Sequence, residues 1–238
     1  MAQRLKLILR EEHLYLAIKA AFLAVIFTQA SAWVFITLSL LLFFYSAQNS
    51  SVSYFLTFLS FIFSSYFALF FFPEYWHFLG ILVFLGLFAI LGLKNLAFIH
   101  RKEIYKPLSF VILALIFIVF FWADFFYEAH LSLFIFLTFG IYFIFFDSFS
   151  LLFKEKEKAG VFSLFSTFII LEAVWAIRML PVGVISESAI AVIFSVAFQE
   201  FVPLIEEKKV DYRRMLLIFT AFIFVFLMIL AFSKWTVN

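Results

Sequence analysis

AAFLAVIFTQASAW, residues 20–33, admits three readings that lead to different proteins. It resembles the apolar stretch and Ala30-Ser31-Ala32 cleavage site of a secretory leader. It could lie inside one overlong helix. It could also join two membrane-spanning helices. The charges in every later connection decide between them.

The chain has 238 residues, of which 67% are hydrophobic and 13% charged. A soluble domain carries roughly 25% charged residues, so this composition specifies an integral membrane protein. Several apolar runs reach the ~20 residues that cross a ~30 Å hydrocarbon core. No long polar stretch leaves room for a soluble domain, which makes residues 1–238 a single transmembrane domain. Residues 1–13 form a basic cytoplasmic segment, 14–233 the helical bundle and 234–238 a short outer tail. The chain is phenylalanine-rich, with 42 Phe against 6 Gly. Phe suits a lipid-facing surface, and scarce Gly limits close backbone approach. No Cys is present, which excludes disulfides and thiolate chemistry.

Fourteen of the 17 Lys and Arg fall in four clusters. These are Arg4, Lys6 and Arg10; Lys94, Arg101, Lys102 and Lys106; Lys154, Lys156 and Lys158; and Lys208, Lys209, Arg213 and Arg214. Between the later clusters lie PEYWH (73–77), ADFFYEAH (123–130) and PVGVISES (181–188), none with Lys or Arg. Short loops rich in Lys and Arg stay in the cytoplasm. The N-terminus and residues 94–106 therefore share one side, and an even number of spans separates them. Residues 52–72 and 78–93 supply two. The run from Leu14 to Ala47 must supply two more or none, and roughly 34 residues at 1.5 Å each make a ~51 Å helix, too long for one crossing, so two is the expected number. The polar break Thr28-Gln29-Ala30-Ser31 is where it turns.

The resulting fold class is all-α: a polytopic bundle of about nine transmembrane helices (range eight to nine), N-terminus cytoplasmic and C-terminus outside. The expected helices are about 14–29, 31–47, 52–72, 78–93, 107–123, 131–153, 161–180, 188–205 and 215–233. Tyr75, Trp76, Trp122, Tyr127 and Trp235 then fall at outer ends, where an interfacial aromatic belt belongs. After two helices the chain reads as three hairpins, 52–93, 107–153 and 161–205, and a last span. The leader reading is weakened by Glu11, Glu12 and Lys19, and cleavage after Ala32 leaves the rest of the threading unchanged. The expected location is the plasma (inner) membrane of a prokaryote.

An ionisable group at the bilayer centre costs roughly 2.5–3.5 kcal/mol, so it normally has a partner or reaches water. Lys19, Asp147, Glu172, Arg178 and Glu200 fall inside expected spans. Lys19, Asp147 and Glu200 sit toward cytoplasmic ends, and Lys19 can pair with either acid or snorkel. Arg178 lies near the outer end of its helix. Glu172 lies deepest. Its six-residue offset from Arg178 is ~9 Å of rise and ~120° of rotation, so each needs a partner elsewhere. Glu172 is either a cation- or proton-binding carboxylate in a transport path or a hydrogen-bonded structural group.

Ser53, Thr57, Ser60, Ser64 and Ala68 recur at helical spacing and mark a packing stripe of small residues. At the outer connections, Glu74, His77, Asp124, Glu128 and His130 are carboxylates and imidazoles of the type that bind divalent metals, set against ordinary interfacial polarity. There is no HExxH, no GxSxG and no phosphate-cradling Gly-rich loop, so the expectation leans away from an enzyme and requires no cofactor. Partners are the lipid bilayer and other membrane proteins, not nucleic acid. Three functions follow in order: a non-catalytic scaffold, assembly factor or complex subunit; a small-solute or ion transporter using Glu172; and a membrane enzyme acting on lipid.

Overall fold

The computed structural model describes residues 2–29, 31–45, 54–94, 101–127, 130–153, 155–206 and 212–233. Nine α-helices run through them: α1 (Ala2–Gln29), α2 (Ala32–Tyr45), α3 (Phe55–Phe71), α4 (Trp76–Lys94), α5 (Arg101–Tyr127), α6 (His130–Ser150), α7 (Lys156–Arg178), α8 (Val184–Glu206) and α9 (Tyr212–Phe232). Six stretches are long and apolar enough to cross a membrane: Pro73–Lys94, Arg101–Phe125, Leu131–Ser150, Lys156–Arg178, Val184–Val202 and Met215–Phe232. The apolar parts of α1, α2 and α3 are shorter. The fold falls into two compact units, Met1–Leu108 and Ser109–Asn238.

In the first unit the chain breaks within the opening stretch. α1 stops at Gln29 and α2 starts at Ala32. The rings of Phe27 and Phe35 then meet edge to face at 5.0 Å, so the two helices fold onto one another. α1 packs extensively on α4, and α3 packs on α4 through a single 3-10 turn, Pro73–Tyr75. Pro73 suits that turn because its missing N–H falls where a helix start has no intrahelical acceptor.

Two glycines set how closely α4 is approached. A Cβ on Gly80 would lie 3.2 Å from Cγ2 of Thr28 on α1. A Cβ on Gly86 would fall inside the Phe61 ring of α3, and that ring is fully buried. Overpacking a filled core costs about 1–3 kcal/mol. Gly86→Leu should therefore lower the melting temperature of the purified protein by several degrees, whereas Gly183→Ala, with open space around it, should leave it unchanged.

Several helices start earlier than hydropathy suggests. α5 begins at Arg101 rather than 107 and carries Pro107 inside it, and α7 begins at Lys156 rather than 161. Lys, Arg and Glu are good helix formers, and Glu103 and Glu157 sit in the first turns, where a negative charge complements the helix dipole. A change in hydropathy marks a membrane boundary, not a helix end. α8 likewise begins at Val184, so Glu187 is in its first turn and not in a loop.

In the second unit α6 lies along α7, α7 along α8, and α8 along α9. α6 also meets α5 closely, since a Cβ on Gly140 would lie 2.8 Å from the Ile116 side chain. On the buried face of α7, Ala159, Ser163, Ser166 and Thr167 are small and let a neighbouring helix come close. The apolar window of α9 has no buried residue, although Phe222 touches Phe194 of α8.

Candidate functional site

The polar residues of the first unit make packing surfaces. Thr57, Ser60, Ser64 and Ala68 are all buried, and Ser53 lies outside the described residues. The hydroxyls of Ser60 and Ser64 donate to the carbonyls of Leu56 and Ser60 at 3.0 and 2.6 Å. Such back-bonding satisfies a hydroxyl within its own helix, so the stripe can pack without a polar partner on the facing helix. Thr57 instead shares a 2.9 Å hydrogen bond with the Tyr105 hydroxyl.

Lys19 is buried, with its ammonium 4.1 Å from the Tyr15 ring centre and 5.7 Å from that of Tyr45. Lys94, which sequence places in a loop, is buried at the end of α4. Its Nζ donates to the carbonyl of Phe43 near the end of α2 and lies 3.6 Å from the Phe43 ring centre. The cation meets a helix C-terminus, where carbonyls lack intrahelical partners. Glu74 and His77 are exposed, and the His77 ring lies against Trp76.

The second unit contains the most developed site. At the end of α7, Nη2 of Arg178 lies 2.6 Å from Oδ2 of Asp124, near the end of α5. The Asp124 side chain is 7% exposed and that of Arg178 41%. Sequence assigned Asp124 only to the metal-type group; its position three residues before the end of α5 gave no sign of its partner. Glu187, in the first turn of α8, lies within electrostatic reach of both.

Below this pair opens a cavity of about 310 Å³ lined by Phe120, Asp124, Leu131, Phe134, Val174, Trp175 and Arg178. Leu131 and Trp175 are exposed at its mouth, while Phe120 and Val174 are buried about one turn deeper than the ion pair. The site is charged at the helix ends and apolar toward the middle of the helices. Glu128 and the side chain of His130 lie outside the described residues. Among those described, no three His, Asp or Glu side chains gather as a metal site would require.

Asp147 is buried on α6 and Glu200 is half-buried on α8. Beside Glu200, Oε1 of Gln199 accepts a 3.2 Å hydrogen bond from the Ser109 hydroxyl of α5. Glu172 lies elsewhere. The buried face of α7 runs through Ala159, Ser163, Ile170, Val174 and Ile177, and Glu172 belongs to the opposite, exposed face with Leu164, Phe168 and Trp175. No family model, no curated protein and no solved structure matches this chain.

Proposed function

We propose that this chain is a non-catalytic component of a membrane assembly, a scaffold, assembly factor or subunit, that recruits another transmembrane helix onto the exposed face of α7. In this reading nine helices thread a prokaryotic plasma membrane with the N-terminus in the cytoplasm and the C-terminus outside. The observation that carries it is Glu172. A carboxyl group ~9 Å of helix rise from Arg178 sits on a face of α7 that is exposed among the described residues of its own unit.

An ionisable group deep in lipid is costly and normally meets a partner. A partner helix with a Ser, Asn, Lys or Arg donor opposite Glu172 relieves that cost. A second copy in a two-fold dimer would present the same surface to itself and, near the axis, set two carboxyl groups together, which pair only while at least one keeps its proton. A donor that does not depend on protonation, supplied by a different chain, fits better. A transport path through this chain would call for Glu172 to face its interior, and the residue's position favours the assembly reading.

A photoreactive amino acid placed at Phe168, one turn from Glu172, tests this in intact cells. The expected result is a discrete adduct with one membrane protein. The adduct should disappear when Glu172→Leu is added. Adducts with lipid alone, or protein adducts indifferent to residue 172, would defeat the reading.

A further inference from the structure

The exposed face of α7 carries a pattern that extends well beyond Glu172. Val161, Phe165, Phe168, Glu172, Trp175 and Met179 are all exposed, and they follow one another at spacings of four, three, four, three and four. At ~100° per residue the six fall within an arc of about 80°, opposite the face buried through Ala159, Ser163, Ile170 and Ile177. Alternating threes and fours are a repeat of ~3.5 residues, the seam of a left-handed coiled coil. From Val161 to Met179 the seam rises ~27 Å, close to the ~30 Å hydrocarbon core. Glu172 stands in its middle third.

A steeper, right-handed crossing would use residues four apart. Leu164, Phe168, Glu172 and Ala176 have that spacing and are also exposed. Right-handed crossings in lipid rely on small residues that let two backbones approach closely. Of these positions only Ala176 is small, and Leu164 and Phe168 hold a partner backbone away. α7 places Ala159, Ser163, Ser166 and Thr167 on its other face. Bulky side chains at alternating threes and fours suit a shallow crossing of ~20°. A single polar residue within such a seam fixes its register. Lipid tails offer that carboxyl group no hydrogen bond.

We propose that these six residues form a heptad seam, along which one transmembrane helix of a different chain lies over the whole apolar length of α7 in a left-handed crossing. The partner helix carries bulky apolar side chains on both sides of one central donor, which meets Glu172. This inference rests on the assembly reading and adds to it the handedness, length and register of the contact.

The test places a photoreactive amino acid in intact cells at Val161, Phe165, Met179, Leu164 or Ala176, one position per protein. All five side chains are exposed, and a melting curve of each purified protein checks that the fold is kept. Val161, Phe165 and Met179 should give the same adduct as Phe168, at least threefold stronger than Leu164 and Ala176. Adducts strongest at Leu164 and Ala176, with Val161 and Met179 blank, would mean a steep crossing. That result overturns the seam and leaves the assembly reading standing, as does an equal yield at all five positions. Adducts with lipid alone, or with the mass of two copies of this chain, would defeat both.

Discussion

Glu172→Leu leaves the thermal stability of the isolated chain unchanged and sharply weakens its assembly with the partner. The two halves of this expectation have different causes. Residue 172 is exposed on α7, so its surroundings are much the same in the folded bundle and in separated helices within the membrane. Substitutions at such positions change stability by no more than about 0.5 kcal/mol. Insertion of α7 should improve, because Leu favours the bilayer where an acid costs roughly 3 kcal/mol on insertion scales. The partner loses a hydrogen bond to an ionisable group, worth about 1.5–3 kcal/mol, which is a fall of roughly tenfold to a hundredfold in association. Melting curves of purified protein and recovery of the complex in mild detergent check both. A drop in melting temperature of several degrees would make Glu172 a structural group of the bundle. An intact complex would remove it from the interface.

What could be read before the structure divides along the same physical line. Helix breaks at Gln29–Ala32 and at Pro73 were legible because backbone chemistry and charge parity act locally along the chain. Helix starts at Arg101 and Lys156 were not, because hydropathy reports transfer into lipid while Lys, Arg and Glu continue a helix readily. The packing of α1 against α4 was also hidden, since small contacts such as Thr28 on Gly80 join residues far apart in sequence. Depth could be estimated for Glu172, but facing could not: the face α7 buries is marked only by small residues, a weak signal among its many apolar positions. The small residues that do orient α7, Ala159, Ser163, Ser166 and Thr167, lie on its buried side, as the Thr57–Ala68 stripe does on α3. Asp124 and Arg178 were visible as residues and invisible as a pair, because nothing in one sequence states that the ends of α5 and α7 meet.

That pair gives the second large effect, and it is asymmetric. Asp124 is closed off from its surroundings, while Arg178 keeps 41% of its side chain exposed. Arg178→Leu takes the guanidinium from an enclosed carboxylate, and breaking a buried pair in this way costs about 3–5 kcal/mol. The expected loss lies near the lower bound, since one partner is already half in contact with its surroundings. Asp124→Asn is milder, about 1 kcal/mol, because the amide oxygen still accepts a hydrogen bond and the guanidinium can turn outward. The double variant Asp124→Leu/Arg178→Leu should recover most of what Arg178→Leu loses, since apolar replacement of both members of an enclosed pair is often neutral. Thermal unfolding of the four proteins in one detergent tests the order: Arg178→Leu lowest, Asp124→Asn intermediate, and the double variant close to the unmodified chain. Equal losses for the two single variants would mean that the carboxylate is not shielded as its burial implies. A double variant as unstable as Arg178→Leu would show that shape, and not charge, holds the ends of α5 and α7 together.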